Sequence, residues 1–356
     1  MYRMVVGLLF TFIDDSEVVH RIARVFIGFL GFWPLSSLSR YLTCVSDPRL
    51  SQVVLGMTFK NPIGLAGGLA KDKLVLTGLE NLGFGFLEIG TFTKSPQAGN
   101  PKPRLFRYLN EGALINRMGF NNEGVVALQK ELGTMGKLSI PLGISIGKSK
   151  SVGLIDAAEE YRQSMAMLYE YGEYFAINVS SPNTIGLRKL QDREHLEKIV
   201  SGLNAYRKEQ RIKKPILVKV SPDLTFEALD DLLRVCREHE VDGIIATNTT
   251  IERTLVSSEL SEPGGLSGIP LRAKSTEIIR YLHRKDPMLP IIGVGGVFTA
   301  EDAYEKIQAG ATLVQVYTGF VFEGPLMVKR VNKGLIALLK RDGFKNIKDA
   351  VGSRAH

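Results

Sequence analysis

From Asn61 onward the chain repeats one pattern: a short apolar run, then a stretch with apolar residues at three- and four-residue steps. Short apolar runs bounded by Gly or Pro read as buried strands, and the longer spacing reads as amphipathic helix. The expected strands are PIGLAGG (62–68), GFLEIGTFT (85–93), PLGISIG (141–147), YFAINVSS (174–181), PILVKVSP (215–222), GIIATNTT (243–250), PIIGVGGV (290–297) and LVQVYTGF (313–320). Helices such as AAEEYRQSMAMLYEYG and FEALDDLLRVCREHE separate the later ones. About eight strand–helix units predict an α/β fold, a (β/α)8 TIM barrel. A doubly wound open sheet is the runner-up, but GLAGGL does not match the G-x-G-x-x-G turn such a sheet carries after its first strand. The segment RLFRYLNEGALINRMGFNNEG, between the second and third strands, is an insertion suited to a hairpin over the barrel mouth.

The first forty residues follow a different pattern. Val18, Val19, Ile22, Val25, Phe26, Phe29, Leu30, Trp33 and Leu35 cover most of a helix, and Asp14, Asp15, Arg21, Arg24 and Pro34 interrupt the apolar stretches. The uninterrupted stretches fall short of the ~20 residues that span a bilayer. Arg3 followed by VVGLLFTFI begins like a signal peptide, but no small-x-small cleavage site follows. Two readings remain open. One is a packed helical hairpin, and the other is a pair of interfacial helices whose apolar faces enter a membrane while Arg3, Arg21, Arg24 and Arg40 meet lipid phosphate. The expected organisation is therefore a small N-terminal helical extension (1–45) on a barrel (46–356).

Charge changes this picture little. Lys and Arg total 45 against 37 Asp and Glu, a formal net charge of +8, but the basic residues are scattered without a stripe interleaved with aromatics, which argues against nucleic acid. Cys44 and Cys236 have no metal-ligand spacing and fit a reducing compartment. Of five histidines, His20 and His356 lie near the ends, while His195, His239 and His283 fall in charged helical stretches. No metal site or Ser-His-Asp triad is expected from them.

Active sites of such barrels form at the C-terminal ends of the strands. Here those ends are GLAGGLAK, EIGTFTK, GISIGK, NVSSPNT, VKVSPDL, ATNTT, GVGGV and YTGF, rich in Gly, Asn, Thr and Lys and nearly free of carboxylates. Glycosidases and carboxylate-metal enzymes need converging acids and are disfavoured. Gly293, Gly295 and Gly296, with Tyr317, Thr318 and Gly319, occupy the place where barrels commonly hold a phosphate. Lys219, alone in the apolar run ILVKVSP, is either a paired core lysine or a cation aimed at a bound group, and Lys71 has the same two readings. A phosphate site with a strand-end lysine suggests FMN, with PLP next. Asn116, Asn178, Asn183 and Asn248 each offer a donor and an acceptor without charge, which suits a flat ring whose edge alternates C=O and N–H.

The motifs NPIGLAGGLAK, GNPKPRLFR, INRMGFNN, INVSSPNTIGLR, VKVSPDL, ATNTT, GGLSGIPL, GVGGV and VQVYTGF, in this order and spacing, resemble the class 2, quinone-linked, membrane-associated dihydroorotate dehydrogenases over essentially the whole chain. The resemblance implies an FMN-bearing barrel that oxidises dihydroorotate to orotate in pyrimidine synthesis and passes electrons to ubiquinone or menaquinone. By the same resemblance Ser181 is the base for the C5 proton, where class 1 enzymes use cysteine, with Thr184 and Phe120 shaping a small water-connected cavity beside it. Substrate contacts fall to Lys71, Asn116, Arg117, Met118, Gly119, Phe120, Asn178, Asn183, Asn248 and Thr249. Flavin contacts fall to Ala66, Gly67, Gly68, Lys71, Thr91, Ser145, Asn178, Lys219, Thr247, Ser267 and Gly268, with the phosphate at Gly295, Gly296, Tyr317 and Thr318. His20, Arg107 and Tyr317 stand where quinone head groups are met, with the N-terminal helices forming the tunnel. The resemblance implies a monomer peripheral to the cytoplasmic face of a bacterial inner membrane; the bacterial source is inferred from a chain that opens on these helices.

Two positions depart from the family's pattern. Ala70 stands where Asp usually precedes the lysine, and Ser145 stands where Asn is usual, with a shorter reach. A dihydrouridine or dihydropyrimidine oxidoreductase is a second reading, disfavoured by Ser181 because such enzymes tend to use cysteine acids. A catalytically silent flavin- or lipid-binding barrel is a third.

Overall fold

A computed structural model describes residues 16–254, 256 and 262–355; Arg3, Asp14, Asp15, the VVGLLFTFI run and His356 lie outside the described residues. Two helices, α1 (Ser16–Phe29) and α2 (Leu35–Thr43), precede an antiparallel hairpin, β1 (Gln52–Val54) and β2 (Met57–Phe59). Then follow β3 (Ile63–Leu65), α3 (Lys73–Glu80), β4 (Phe86–Phe92) and a second hairpin, β5 (Leu105–Tyr108) and β6 (Ala113–Asn116). The chain continues through α4 (Gly124–Gly133), β7 (Leu142–Ile146), α5 (Ala157–Leu168), β8 (Tyr174–Asn178), α6 (Arg193–Glu209), β9 (Ile216–Val220), α7 (Phe226–Glu238) and β10 (Gly243–Ala246). It ends with β11 (Gly265–Gly268), α8 (Arg272–Lys285), β12 (Ile291–Val294), α9 (Ala300–Gln308), β13 (Leu313–Val316), α10 (Thr318–Glu323), α11 (Met327–Asp342) and α12 (Ile347–Ala350).

Strands β3, β4, β7, β8, β9, β10, β12 and β13 close a parallel barrel, the last pairing with the first through Val314 opposite Ile63 and Val316 opposite Leu65. Each strand is shorter than its apolar run, because the final residues leave the ladder and turn toward the mouth. The eighth run divides there: Val316 ends β13 and Thr318 opens α10. The 105–116 insertion is the hairpin expected, and β11 adds to it as a third antiparallel strand, Gly265 opposite Asn116. That strand was not expected, since GLSG carries no strand pattern.

Inward-facing residues alternate along each strand. Phe86, Tyr174, Leu217, Ile245, Ile292 and Leu313 form an apolar layer inside the barrel, and the β1–β2 hairpin packs Val54 and Phe59 against it. Two glycines make room for the large rings: a Cβ on Gly143 would lie 2.0 Å from the Tyr174 ring, and one on Gly64 would lie 2.3 Å from Phe86. Two residues further along, the layer turns polar. Lys219 Nζ lies 3.4 Å from Glu88 Oε1, and Glu88 Oε2 accepts from Gln315 Nε2 at 2.8 Å and from the Tyr174 hydroxyl at 3.2 Å. Burial, then the neighbouring Glu88 charge, pushes the Tyr174 phenol well above its ordinary value, so it stays a donor.

The N-terminal helices lie against α3. A Cβ on Gly78 would meet the Ile27 carbonyl oxygen at 1.8 Å, so α1 rests directly on the α3 backbone. Arg24 pairs with Asp72, the N-cap of α3, and Glu17 accepts from Arg104 Nε and Nη2 at 3.1 and 3.0 Å.

Truncating one member of a buried ion pair strands the other charge, at a cost of about 3–5 kcal/mol. Glu88→Ala is expected to lower the urea-unfolding free energy by that order, and Glu88→Gln by less; an unchanged midpoint in Glu88→Ala would show that Lys219 finds another partner.

Candidate active site

The strand ends and the β5–β6–β11 sheet enclose a cavity with about 1080 Å³ of atom-free space, part of it open to solvent. That is the size of a small-molecule or cofactor site, roughly 300–1,000 Å³. Its floor includes Lys219 and Gln315 of the polar layer, and its walls come from the turns that follow β3, β8, β10, β12 and β13.

The β8 turn carries the densest polar set. Val179 and Ser180 are fully buried, and Ser180 Oγ accepts from Asn248 Nδ2 at 3.0 Å, so Ser180 supports the turn. Ser181 lines the cavity instead, its Oγ accepting the Asn183 amide N–H at 3.3 Å. Pro182 restricts Ser181 to an extended backbone. The asparagines bond in pairs: Asn183 Nδ2 donates to Asn116 Oδ1 at 3.0 Å, and Asn248 Nδ2 donates to Asn178 Oδ1 at 3.3 Å. Asn178 Nδ2 also reaches Thr91 Oγ1 at 2.7 Å. A set so fixed presents its remaining lone pairs and protons in one orientation. Thr184 Oγ1, three residues beyond Ser181, is buried with no hydrogen-bond partner among the described residues.

Lys71 Nζ donates to the Asn121 carbonyl and side-chain oxygens, both at 2.6 Å, so the lysine beside Ala70 is held without a carboxylate. Burial, then Arg24 and Arg104, lowers Lys71 to about 7, against a smaller opposing pull from Glu17. An anion entering the cavity would restore its charge. On the helical side, burial and then Arg24 and Lys71 hold His20 down to about 4, outweighing Glu17, and its Nε2 is buried without a hydrogen-bond partner among the described residues. Tyr317, beside Gly68, is pushed up to about 12 by burial.

The model of the family described as dihydroorotate dehydrogenase matches residues 49–339. The chain belongs to the dihydroorotate dehydrogenase family. A dihydroorotate dehydrogenase (quinone) of Gloeobacter violaceus is 46% identical over 99% of this chain and 98% of its own length. One of Natronomonas pharaonis is 45% identical over 99% of both chains. Among solved structures, a DHODH from Eimeria tenella in complex with ferulenol is 35% identical, superposes with a TM-score of 0.87 and covers 98% of each chain.

Most residues that the dihydroorotate dehydrogenase motifs single out meet in this one cavity. Ala66, Gly67, Gly68, Lys71 and Thr91 line it with Asn116, Met118, Gly119 and Phe120. So do Asn178, Ser181, Asn183, Lys219, Thr247, Asn248 and Thr249, and also Ser267, Gly268, Gly295, Gly296, Tyr317 and Thr318. Five others stand apart from its wall, one of them Thr184, which lines a neighbouring pocket with Asn100, Pro182 and Asn183. Ser145 lies behind Thr91, with the two hydroxyls 2.9 Å apart. The Arg117 side chain turns outward, bonding Glu262 Oε2 at 2.6 Å and stacking 4.5 Å over the Phe106 ring. His20 sits on α1 and Arg107 on β5.

Two residues inside those motifs, Arg188 and Asp223, carry a role that the sequence alone did not assign. Arg188 donates to the Ser180 carbonyl at 3.2 Å, to the Thr249 carbonyl at 3.0 Å and to Asp223 Oδ2 at 2.8 Å. Burial pushes Asp223 upward, but bonds from Thr250, the Ile251 amide and Arg188 outweigh it and hold the carboxyl below its ordinary value. This pair clamps the Ser181 turn to the ends of β9 and β10. Elsewhere, His239 Nε2 meets Glu197 Oε1 at 3.2 Å and groups with Glu238 at metal-ligand spacing, but His239 precedes β10 and so sits at the opposite end of the barrel.

Removing the clamp is expected to loosen the turn without unfolding the barrel. In Arg188→Met, amides of residues 179–187 should exchange with deuterium at least about tenfold faster, one unpartnered charged hydrogen bond being worth ~1.5–3 kcal/mol, while amides of β9 and β10 keep their protection. Equal exchange in both proteins would assign the turn's order to other contacts.

Proposed function

We propose that the protein oxidises dihydroorotate to orotate in pyrimidine biosynthesis, with FMN held in the cavity and a membrane quinone, ubiquinone or menaquinone, as final electron acceptor. One observation carries the reading: in a chain of this family, four neutral asparagines and Ser181 converge on one enclosed cavity.

The residues present suit FMN. Gly295 and Gly296 leave backbone exposed for a phosphate, beside the Thr318 hydroxyl, and Lys219 stands as a cation in the cavity floor where charge develops on a reduced ring. When bound, FMN supplies the two-electron acceptor that takes the hydride from C6 of dihydroorotate. Asn116, Asn178, Asn183 and Asn248 match a ring edge of alternating C=O and N–H groups, and protonated Lys71 meets the substrate carboxylate. Ser181 Oγ takes the C5 proton as the C5–C6 double bond forms. A serine hydroxyl is a weak base, so its placement and a path for the proton carry the step. Thr184 Oγ1, buried and without a hydrogen-bond partner among the described residues, supplies the next polar group along the turn.

Quinone reaches the flavin edge through α1 and α2, near His20, Arg107 and Tyr317. No helix among the described residues is long and apolar enough to cross a membrane. The support for interfacial docking is exposure: Phe26 is 66% exposed and Trp33 is 83% exposed, next to Ile22, Val25, Phe29, Phe32, Leu38 and Tyr41. A face of this kind is the signature of a helix lying in the lipid interface.

Ser181→Ala is expected to retain flavin absorbance while dihydroorotate reduces the flavin ~10²–10⁴-fold more slowly, as for loss of a general base. A near-normal reduction rate in stopped flow would move the base elsewhere. Replacing Phe26 and Trp33 together by Asp should leave flavin reduction intact, abolish co-sedimentation with phospholipid vesicles and slow turnover with long-chain quinone. Vesicle binding equal to wild type would make this face a packing surface.

A further inference from the structure

Lys306, on α9, is among the largest fully buried side chains of the molecule. Its stem passes Gly293 of β12, where a Cβ would meet Lys306 Cδ at 3.5 Å. Its ammonium ends beneath the first turn of α8. There Nζ donates to Ser275 Oγ and Thr276 Oγ1, both at 3.1 Å, and to the Arg272 carbonyl at 3.4 Å. None of these partners is an anion. The hydroxyls are themselves committed as donors, Ser275 to the Val294 carbonyl at 2.8 Å and Thr276 to the Arg272 carbonyl at 2.9 Å. Three acceptors thus surround Nζ, which suits an ammonium with three protons and leaves the lone pair of a neutral amine facing an acceptor.

The surroundings oppose that charge. Burial is costly for an unpaired cation, and the N-terminal turn of a helix is the positive end of its dipole. The charged groups nearby are Arg272 on α8 and Asp302 and Glu305 on α9, and Asp302 is already paired with Arg272. Directly above lies the turn that follows β12. A Cβ on Gly295 would fall 2.9 Å from Ser275 Cβ, and one on Gly296 would fall 2.8 Å from the Arg272 nitrogen. Ser275 therefore touches both the ammonium and the glycine turn.

We propose that Lys306 is the buried counter-charge of the phosphate-binding turn, an ammonium that a phosphate dianion at Gly295–Gly296 completes, so that the protein distinguishes phosphorylated from unphosphorylated flavin partly through a residue it never touches. The inference rests on the flavin reading given above. Burial, outweighing Glu305 and Asp302, lowers Lys306 to about 7 in the empty site. A bound dianion raises it again, because an opposite charge favours the protonated form. The sign follows: above about pH 7 the empty site holds a neutral amine, and binding the phosphate takes up a proton. The phosphate itself, with a second pKa near ~6, is already a dianion in that range and contributes little.

The test is to strip the full-length chain of flavin and titrate it with FMN and with riboflavin, following flavin fluorescence from pH 7 to 9. FMN affinity should fall by up to about tenfold per pH unit while riboflavin affinity stays level. Lys306→Met, which matches the length of the stem, should flatten the FMN profile and narrow the preference for FMN over riboflavin. Isothermal titration of the unmodified chain at pH 8 in two buffers of different ionisation enthalpy should show close to one proton taken up with FMN and none with riboflavin. A level FMN profile in the unmodified chain, or a slope that survives in Lys306→Met, overturns the inference and leaves flavin binding standing. Failure of both flavins to bind at any pH overturns the flavin reading, and this one with it.

Discussion

The structure is organised around one buried ion pair. Glu88 and Lys219 face each other across the barrel interior, both buried, between an apolar layer and the cavity. Desolvating two charges is expensive unless every remaining lone pair and proton is met. Glu88 answers that demand with donors from Lys219, Gln315, Tyr174 and the Gly67 amide. Its neighbours are then constrained in turn. Gly67 must lack a side chain, because a Cβ would lie 2.8 Å from Glu88 Oε1, and Tyr174 needs the gap that Gly143 leaves. The glycine-rich turn after the first barrel strand is thus a requirement of the charge beneath it as much as of a ligand above it.

The barrel was legible in the sequence because its signal is local and repeated. Eight apolar runs separated by three- and four-residue periodicity leave few architectures, and the polar letters at the run ends marked the cavity wall. What stayed hidden depends on pairing across distance. Lys219 stood out as a single charge in an apolar run, and Glu88 in FLEIGTF carried the same signal, but nothing local joins two positions 131 residues apart. Arg188 and Asp223 were each visible and their clamp was not. The β11 strand is a stronger case: four residues, two of them glycine, become a strand because β6 offers a free edge. Arg117 shows the reverse, a motif residue whose side chain leaves the site for Glu262 and Phe106.

The N-terminal helices carry two opposed surfaces. Glu17 and Arg24 bind α1 to Arg104 and Asp72, both close to the cavity's Lys71, while the far face keeps its aromatics in contact with solvent. The polar side is close enough to the cavity for Arg24 to add to burial in depressing Lys71 and His20. Any displacement of α1 therefore alters the electrostatics around the strand ends as well as access to them.

The order in which the chain is made has a consequence for when the cavity can hold a ligand. β6 waits for β11, which lies about 150 residues downstream, and β3 waits for β13 to close the barrel. The glycine turn at 295–296 and the start of α10 are among the last parts of the site to be translated. A nascent chain holding two thirds of these residues has neither a closed barrel nor the glycine turn that completes the cavity wall. A ligand that needs both walls of the cavity is thus held only by the nearly finished polypeptide, and before that point the exposed aromatics of α1 and α2 have no closed barrel beside them.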